Sequence, residues 1–294
     1  MIPAPQNAVV AARLEELAAL LESQGANPFR VEAYRHAADL VRRLERPVGE
    51  MLRTAGVAGL ERLPAIGTSI ARAIRDLVET GRLPMLDRLR GESDAVTLLT
   101  SVPGIGRTLA ERLHHDHGID TLEELEAAAH DGRLAAIRWF GAKRLRGVRE
   151  ALATRLGRVP RTVAMAQEPA VEELLRVDRE YRAKAAAGAL RTIAPRRFNP
   201  LRESWLPILH TLQGDRHYTA LFSNTARAHD LGKTRDWVVI YVDGGRGERQ
   251  YTAVTASRGP MKGKRVVRGR EIECLAYYRD RTATRTPSVS LSVG

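Results

Sequence analysis

LPAIGTSIARAI, residues 63–74, returns 39 positions later as VPGIGRTLAERL, residues 102–113. Each copy sets an apolar residue, proline, a small residue, isoleucine and glycine ahead of a stretch whose apolar positions recur at i and i+4. That order predicts a short helix, a tight reversal and a second helix, twice over. Glycine in the corner tolerates a positive φ and carries no Cβ to hold a ligand away. The following helix turns its unpaired N-terminal amides outward, where free N–H groups and the positive end of the helix dipole suit a phosphate oxygen. Contacts of this kind carry no base information. One such corner is equally an ordinary bend between packed helices; two in-phase copies favour a repeated binding device.

Helical periodicity surrounds both copies. Val10, Leu14, Leu17 and Leu21 recur at helical spacing behind Asn7 as an N-cap, and Gly25 ends the run. Asn27 caps a second helix with Pro28 at its first position, where a missing N–H costs nothing. Val31, Tyr34, Leu40, Val41 and Leu44 are its expected buried stripe, up to Pro47. Short helices are expected over 48–54 and 58–62, a longer one closing at Gly81, and another over 83–90. Thr121 and Glu124 have capping-box spacing, and WFGAKRLRGVREAL (139–152) predicts a further helix. Nothing before Gly157 alternates like a strand.

Beyond that point the pattern changes. Residues 157–169 read as a Pro-containing linker, 170–187 as a helix and APRRFNP (194–200) as a basic loop. HYTALFSNT (217–225), DWVVIYVD (236–243), RQYTAVTAS (249–257) and KRVVRGREIECLAYY (264–278) are rich in β-branched and aromatic residues, with DGGRGE as a hairpin turn. The expected architecture is multidomain, with an all-α N-terminal half in two units, 1–91 and 92–156. A linker with one helix and the basic loop spans 157–200, and a small α+β domain with an antiparallel sheet spans 201–294. The last dozen residues read as frayed.

Charge is unevenly spread. The net +12 divides into +1 over residues 1–156 (22 Lys+Arg, 21 Asp+Glu) and +11 over 157–294 (25 and 14). Long-range attraction to a polyanion therefore comes from the second half, and the first half must bind by local geometry. A basic surface that merely aids solubility is the plainer alternative. A single cysteine, Cys274, excludes an internal disulfide and any cysteine-based zinc finger. No run reaches the roughly 20 apolar residues that span a bilayer, and the N-terminus lacks a basic stretch followed by an apolar one. A cytoplasmic, nucleoid-associated protein without a membrane partner is the expectation.

In order along the chain, NPFRVEAYRHAADLVRRL (27–44), LPAIGTSIARAIRDLVETGRLPMLDRL (63–89), VPGIGRTLAERL (102–113), GIDTLEELEAAAHDGRL (118–134) and FGAKRLRGV (140–148) resemble the 8 kDa and helix-hairpin-helix region of family X DNA polymerases, the DNA polymerase beta group. The resemblance covers about residues 8–155. It implies hairpins that grip the backbone on either side of a gap or nick, and motif carbonyls that can hold a monovalent cation. By that resemblance Gly67, Thr68, Ser69 and Ile70 contact one strand and Gly104, Ile105, Gly106, Arg107 and Thr108 the other, with Lys143 at the third helix. Arg30, Tyr34 and Arg35 stand where a 5′-phosphate would bind, Tyr34 being equally a core residue. Ala65 departs from the family's usual glycine, which puts a close phosphate approach at the first hairpin in doubt.

The family's chemistry has no matching residues. Its lyase needs a lysine amine to form a Schiff base; Ala73 stands at that position, and no lysine precedes Lys143. Arginine stays protonated and is no substitute, so no lysine-based lyase is expected. Polymerisation needs carboxylates that hold two Mg²⁺ ions, and residues 157–294 contain no Asp-x-Asp. Glu271 and Glu273 would share one face of a strand, as a solvated charged strand or a degenerate metal site. The loop ASRGPMKGKRVVRGRE (256–271) concentrates Arg258, Lys262, Lys264, Arg265, Arg268 and Arg270 for a phosphate backbone. His210, His217, Asn224, Arg227, His229 and Asp230 form a second polar group able to hold a metal or act as acid and base. The expected function is sequence-independent binding of gapped, nicked or branched DNA in repair, with the C-terminal domain adding basic grip or recruiting a repair protein. The alternative is a metal-dependent nuclease or degenerate nucleotidyltransferase using Mg²⁺, with His210, His229, Glu271 or Glu273 in its site.

Overall fold

The computed structural model describes residues 5–91, 95–119, 122–130, 132–137, 140–155, 168–243 and 248–283. Among the described residues the N-terminal half holds only helices and their connections: α1 (Pro5–Ser23), α2 (Pro28–Arg43), α3 (Val48–Glu61), α4 (Thr68–Thr80), α5 (Pro84–Leu89), α6 (Ala95–Thr100), α7 (Arg107–His115), α8 (Leu122–His130) and α9 (Ala142–Arg155). The remainder contains α10 (Val171–Ala186), β1 (Arg191–Ile193), β2 (Leu206–Gln213), β3 (Arg216–Phe222), α11 (Ala226–Asp230), β4 (Val238–Asp243), β5 (Arg249–Thr255), β6 (Arg265–Val267) and α12 (Glu271–Ala283). The six strands form an antiparallel meander in chain order, β1 to β6.

Local chemistry accounts for several helix ends. Asn27 caps α2, its Oδ1 accepting from Phe29 N at 2.9 Å. Gly81 closes α4 in the left-handed conformation, φ 71°, and Gly56 (φ 61°) breaks α3 where the two short helices were expected to part. Asn7 differs from expectation. It lies inside α1, fully buried, donates to Leu44 O and Arg46 O at 3.0 and 3.1 Å, and accepts from Val48 N at 2.9 Å. It therefore caps α3, 41 positions on, rather than its own helix, because an amide that reaches a distant helix start satisfies three buried backbone groups at once. The Thr121 cap, the linker over 156–167 and the chain end from 284 fall outside the described residues.

Three apolar clusters form the interior. Leu99, Ile105, Leu113, Leu125, Phe140 and Val148 centre the second hairpin unit. The first unit, from Val10 to Leu89, shares its core with Ile193, Leu206 and Ile208 of the sheet. The opposite sheet face, with Leu209, Tyr218, Ile240 and Ala253, packs on Leu174, Val177 and Tyr181 of α10 and Cys274 of α12. Side chains alternate across a strand, so Ile208 and Leu209 serve different cores. The sheet is thus covered by α10 and α12 on one face and by the N-terminal helices on the other. α10, expected in a linker, packs into the sheet's core, and β1 and β2 come before the first strand that the sequence suggested. The stretch 264–278 also divides. Only Arg265–Val267 is strand; a turn through Gly269 (φ 77°) leads into α12.

Candidate nucleic-acid interface

The two corners are near copies in backbone. Gly67 and Gly106 precede their helices with φ/ψ of −78°/172° and −80°/168°. Ile66 and Ile105 are buried in the two cores, and their amides donate to Leu63 O (3.2 Å) and Val102 O (3.0 Å), closing each turn. The first intrahelical bonds are Ala71 N to Gly67 O and Ala110 N to Gly106 O, both 2.9 Å, and no side chain caps either end. The amides of Thr68, Ser69 and Ile70, and those of Arg107, Thr108 and Leu109, precede those bonds and are the orphan donors of a helix start. Gly67, Gly104, Gly106, Arg107 and Thr108 are solvent-exposed, and a Cβ at Gly67 or Gly106 would meet nothing within 4 Å.

The residue two before each corner glycine is left-handed, Ala65 at φ 62° and Gly104 at φ 88°. Glycine bears that conformation freely and alanine does not. The Ala65→Gly variant should therefore unfold with a free energy about 0.5–1 kcal/mol larger, which thermal or urea unfolding measures; an unchanged midpoint would remove the strain assigned to Ala65. At the second corner, α9 lies behind the turn: a Gly104 Cβ would touch the Arg144 stem at 3.6 Å, and Lys143 is exposed one residue earlier.

The other expected contacts divide by burial. Arg30 is only 6 % exposed and is enclosed against the sheet, its guanidinium donating to Asp243 Oδ2 at 2.7 Å and to Met85 Sδ at 3.2 Å. Asp243 also accepts from Ser69 Oγ at 2.6 Å. Tyr34 is buried beside them, where burial first and the Asp243 carboxylate second push its phenol up to about 12. Arg88 pairs with Glu248 (Nη1 to Oε2, 2.8 Å) and lies 3.8 Å over the Tyr241 ring. Arg30 and Tyr34 are therefore interior groups of the contact between helices and sheet. Arg35 alone of the three faces water, held by Glu22 at 2.5 Å and Glu32 at 2.8 Å. Tyr241 and Asp243 alternate with inward Ile240 and Val242, which is the signal by which β4 could have revealed its acidic partner to the helices.

Of the six cations in the 256–271 region, Arg258, Lys262 and Lys264 are exposed, Lys264 with its ammonium 4.8 Å over the Tyr278 ring. Arg265 instead spans Asp178 (2.6 Å) and Asp236 (2.7 Å), and Asp178 is almost wholly buried. Arg270 is buried on Pro169 O at 2.6 Å and on Glu273, and Arg268 lies 4.0 Å over the Trp237 ring. Distant partners hold these three: the Asp178 and Asp236 carboxylates for Arg265, the Pro169 carbonyl for Arg270 and the Trp237 ring for Arg268.

The catalytic candidates do not converge. His210 bridges Thr219 Oγ1 and Gln24 Oε1, each at 3.1 Å, and burial, aided by the charges of Arg30 and Arg88, pulls its pKa down to about 3. It is a neutral structural imidazole. His229 bonds Asn224 Oδ1 at 2.6 Å and stacks on Phe198. Glu271 and Glu273 stand on the first turn of α12, not on a strand; Glu271 accepts from Gly269 N at 2.8 Å and Glu273 neutralises Arg270. The Arg227 side chain lies outside what the structure describes. Among the described residues no three His, Cys, Asp or Glu side chains are placed to hold a metal ion, and no helix is long and apolar enough to cross a membrane.

Sequence comparison agrees with the paired corners. Residues 5–83 match the helix-hairpin-helix domain family, and residues 96–154 match the SAM-like helix-hairpin-helix tandem. The N-terminal half carries helix-hairpin-helix domains. Over 140 residues, 47 % of this chain, the sequence is 27 % identical to DNA polymerase/3′-5′ exonuclease PolX of Bacillus subtilis (strain 168). The match spans 24 % of that protein, about a quarter of its length. Both domain matches end by residue 154, so the sheet and its helices lie beyond them.

Proposed function

We propose that this protein binds duplex DNA through the backbone, with one hairpin corner on each side of a gap, nick or branch, and that it serves repair as a non-polymerising relative of family X polymerases. The observation that carries the reading is the pair of uncapped helix starts, alike in dihedral angles and with Gly67 and Gly106 exposed, in a half whose domains match helix-hairpin-helix families. Helix-hairpin-helix domains indicate DNA binding; the uncapped amides supply the chemistry, since they suit phosphate oxygens and read no bases. The net +11 of residues 157–294, with Arg258, Lys262 and Lys264 exposed on the β5–β6 loop, adds attraction at a distance. A monovalent cation at the hairpins belongs to the same reading: Pro64 and Ala65, and Pro103 and Gly104, are exposed turn residues whose carbonyls are of the kind that hold alkali cations.

Fluorescence anisotropy on two unrelated duplexes of equal length, each intact, nicked and gapped, tests this. Affinity should agree between the two sequences within about twofold and fall with a log–log salt slope of about −4 to −5 for some five phosphates neutralised. The gapped form should bind about tenfold tighter than the intact one, since each corner there closes on a separate backbone segment. Absence of binding to every duplex, or a tenfold preference for one sequence, would refute the reading.

A further inference from the structure

The loop between β1 and β2, residues 194–204, is anchored at several points. Arg196 N donates to Gly91 O at 2.7 Å, and a Cβ on Gly91 would come within 2.5 Å of Ala194 O, so this approach requires glycine there. Asn199 is buried and clasps the loop from inside, donating to Glu203 O (2.8 Å) and accepting from Glu203 N (3.0 Å). Asn224 Nδ2 holds Arg197 O at 2.9 Å. Between these anchors Phe198 and Arg202 are left-handed, at φ 52° and 54°. A left-handed phenylalanine is strained, yet the result of that strain is to leave its ring 49 % exposed. The ring packs against His229, centroids 4.3 Å apart and planes tilted by 34°, and the Arg197 guanidinium lies 5.3 Å from its centroid; His229 is itself fixed by Asn224. Leu201, three positions on, is 77 % exposed, and Arg196 and Arg202, two positions before and four after Phe198 on the same loop, are exposed.

Strain and exposure both oppose folding, and the contacts with His229 and Arg197 still leave about half of the residue open to solvent. A rigid aromatic plate flanked by cations suits one ligand class well. Every nucleobase has a π-face, and an unpaired base that stacks on a ring places its neighbouring phosphates where arginines can reach them. We infer that Phe198, backed by His229 and flanked by Arg196 and Arg202, stacks an unpaired nucleotide of single-stranded DNA. Paired bases inside an intact duplex offer no open face, so the loop distinguishes gapped or tailed DNA from continuous duplex. This rests on the DNA-binding reading above and adds the element that senses unpaired strand.

Phe198→Ala and Phe198→Trp in the full chain test it, with labelled oligodeoxythymidylate, gapped duplex and intact duplex as probes. The alanine variant should lose about tenfold in affinity for oligodeoxythymidylate and gapped duplex, and less than twofold for intact duplex. The tryptophan variant should bind like the parent, with its added fluorescence quenched by oligodeoxythymidylate. Equal loss on all three probes, or no loss on oligodeoxythymidylate, overturns the inference. So does concentration-dependent self-association that alanine abolishes without changing DNA affinity, which makes the patch a protein contact. A parent protein that binds oligodeoxythymidylate but no duplex refutes the hairpin reading and leaves the loop standing, so the two failures are distinguishable.

Discussion

Replacing Asp243 with alanine should lower the unfolding free energy by about 3–5 kcal/mol, the range for removing one partner of an enclosed ion pair. Asp243 is 13 % exposed and neutralises Arg30 while accepting from Ser69. Arg30 also donates to the Met85 thioether, a weak acceptor that cannot stand in for a carboxylate. Without the carboxylate a guanidinium stays enclosed and uncompensated, with Tyr34 beside it. Urea or thermal unfolding reads the effect, as a Tm fall on the order of 10 °C. The paired change Arg30→Met with Asp243→Leu should recover most of that loss, because it removes the stranded charge. A loss below about 1 kcal/mol for the single variant would show that water reaches Arg30, and would return it to the exposed role expected from sequence.

Aspartate in place of Gly67 and Gly106 should separate folding from binding. Both glycines occupy N-cap positions with extended backbone and open space where a side chain would project. Aspartate is a favoured N-cap, so helix stability should hold or rise by a few tenths of a kcal/mol. The same carboxylate takes the orphan amides and repels phosphate. DNA affinity should fall about tenfold for each corner and about a hundredfold for the double variant, the corners belonging to separate cores with no residue in common. Anisotropy at fixed salt alongside thermal unfolding measures both signs together. Normal binding with filled caps would remove the hairpins from the interface; coupled loss of stability and binding would mean that the caps had misfolded the corners. Gly104 is unsuited to this test, because any side chain there adds left-handed strain.

The corners were legible because they are local. Proline, a small residue, isoleucine and glycine within five positions set the turn, and the buried isoleucine fixes which way it faces, so the periodicity of the flanking helices suffices to place it. Gly81, Asn27 and the break at Gly56 were read for the same reason. β1 and β2 are not legible in this way: β1 is three residues long, and β2, although the longest strand, carries Pro207 and owes its strand state to pairing with β1 and β3 and to the two cores it serves. Glu271 and Glu273 were misread because a period of two over three residues is indistinguishable from a helix start until α12 packs.

By itself, then, the sequence determined the paired corners, the helical half and the uneven charge, all properties of contiguous residues. Only the tertiary structure decided which cations face a ligand. Arg30 and Arg265 are as basic in sequence as Arg258 and Lys262, but their carboxylates, Asp243 and Asp178, arrive from 213 and 87 positions away. A charge's role depends on what shares its dielectric surroundings, and for an arginine that is set by the elements folded against it rather than by its neighbours along the chain.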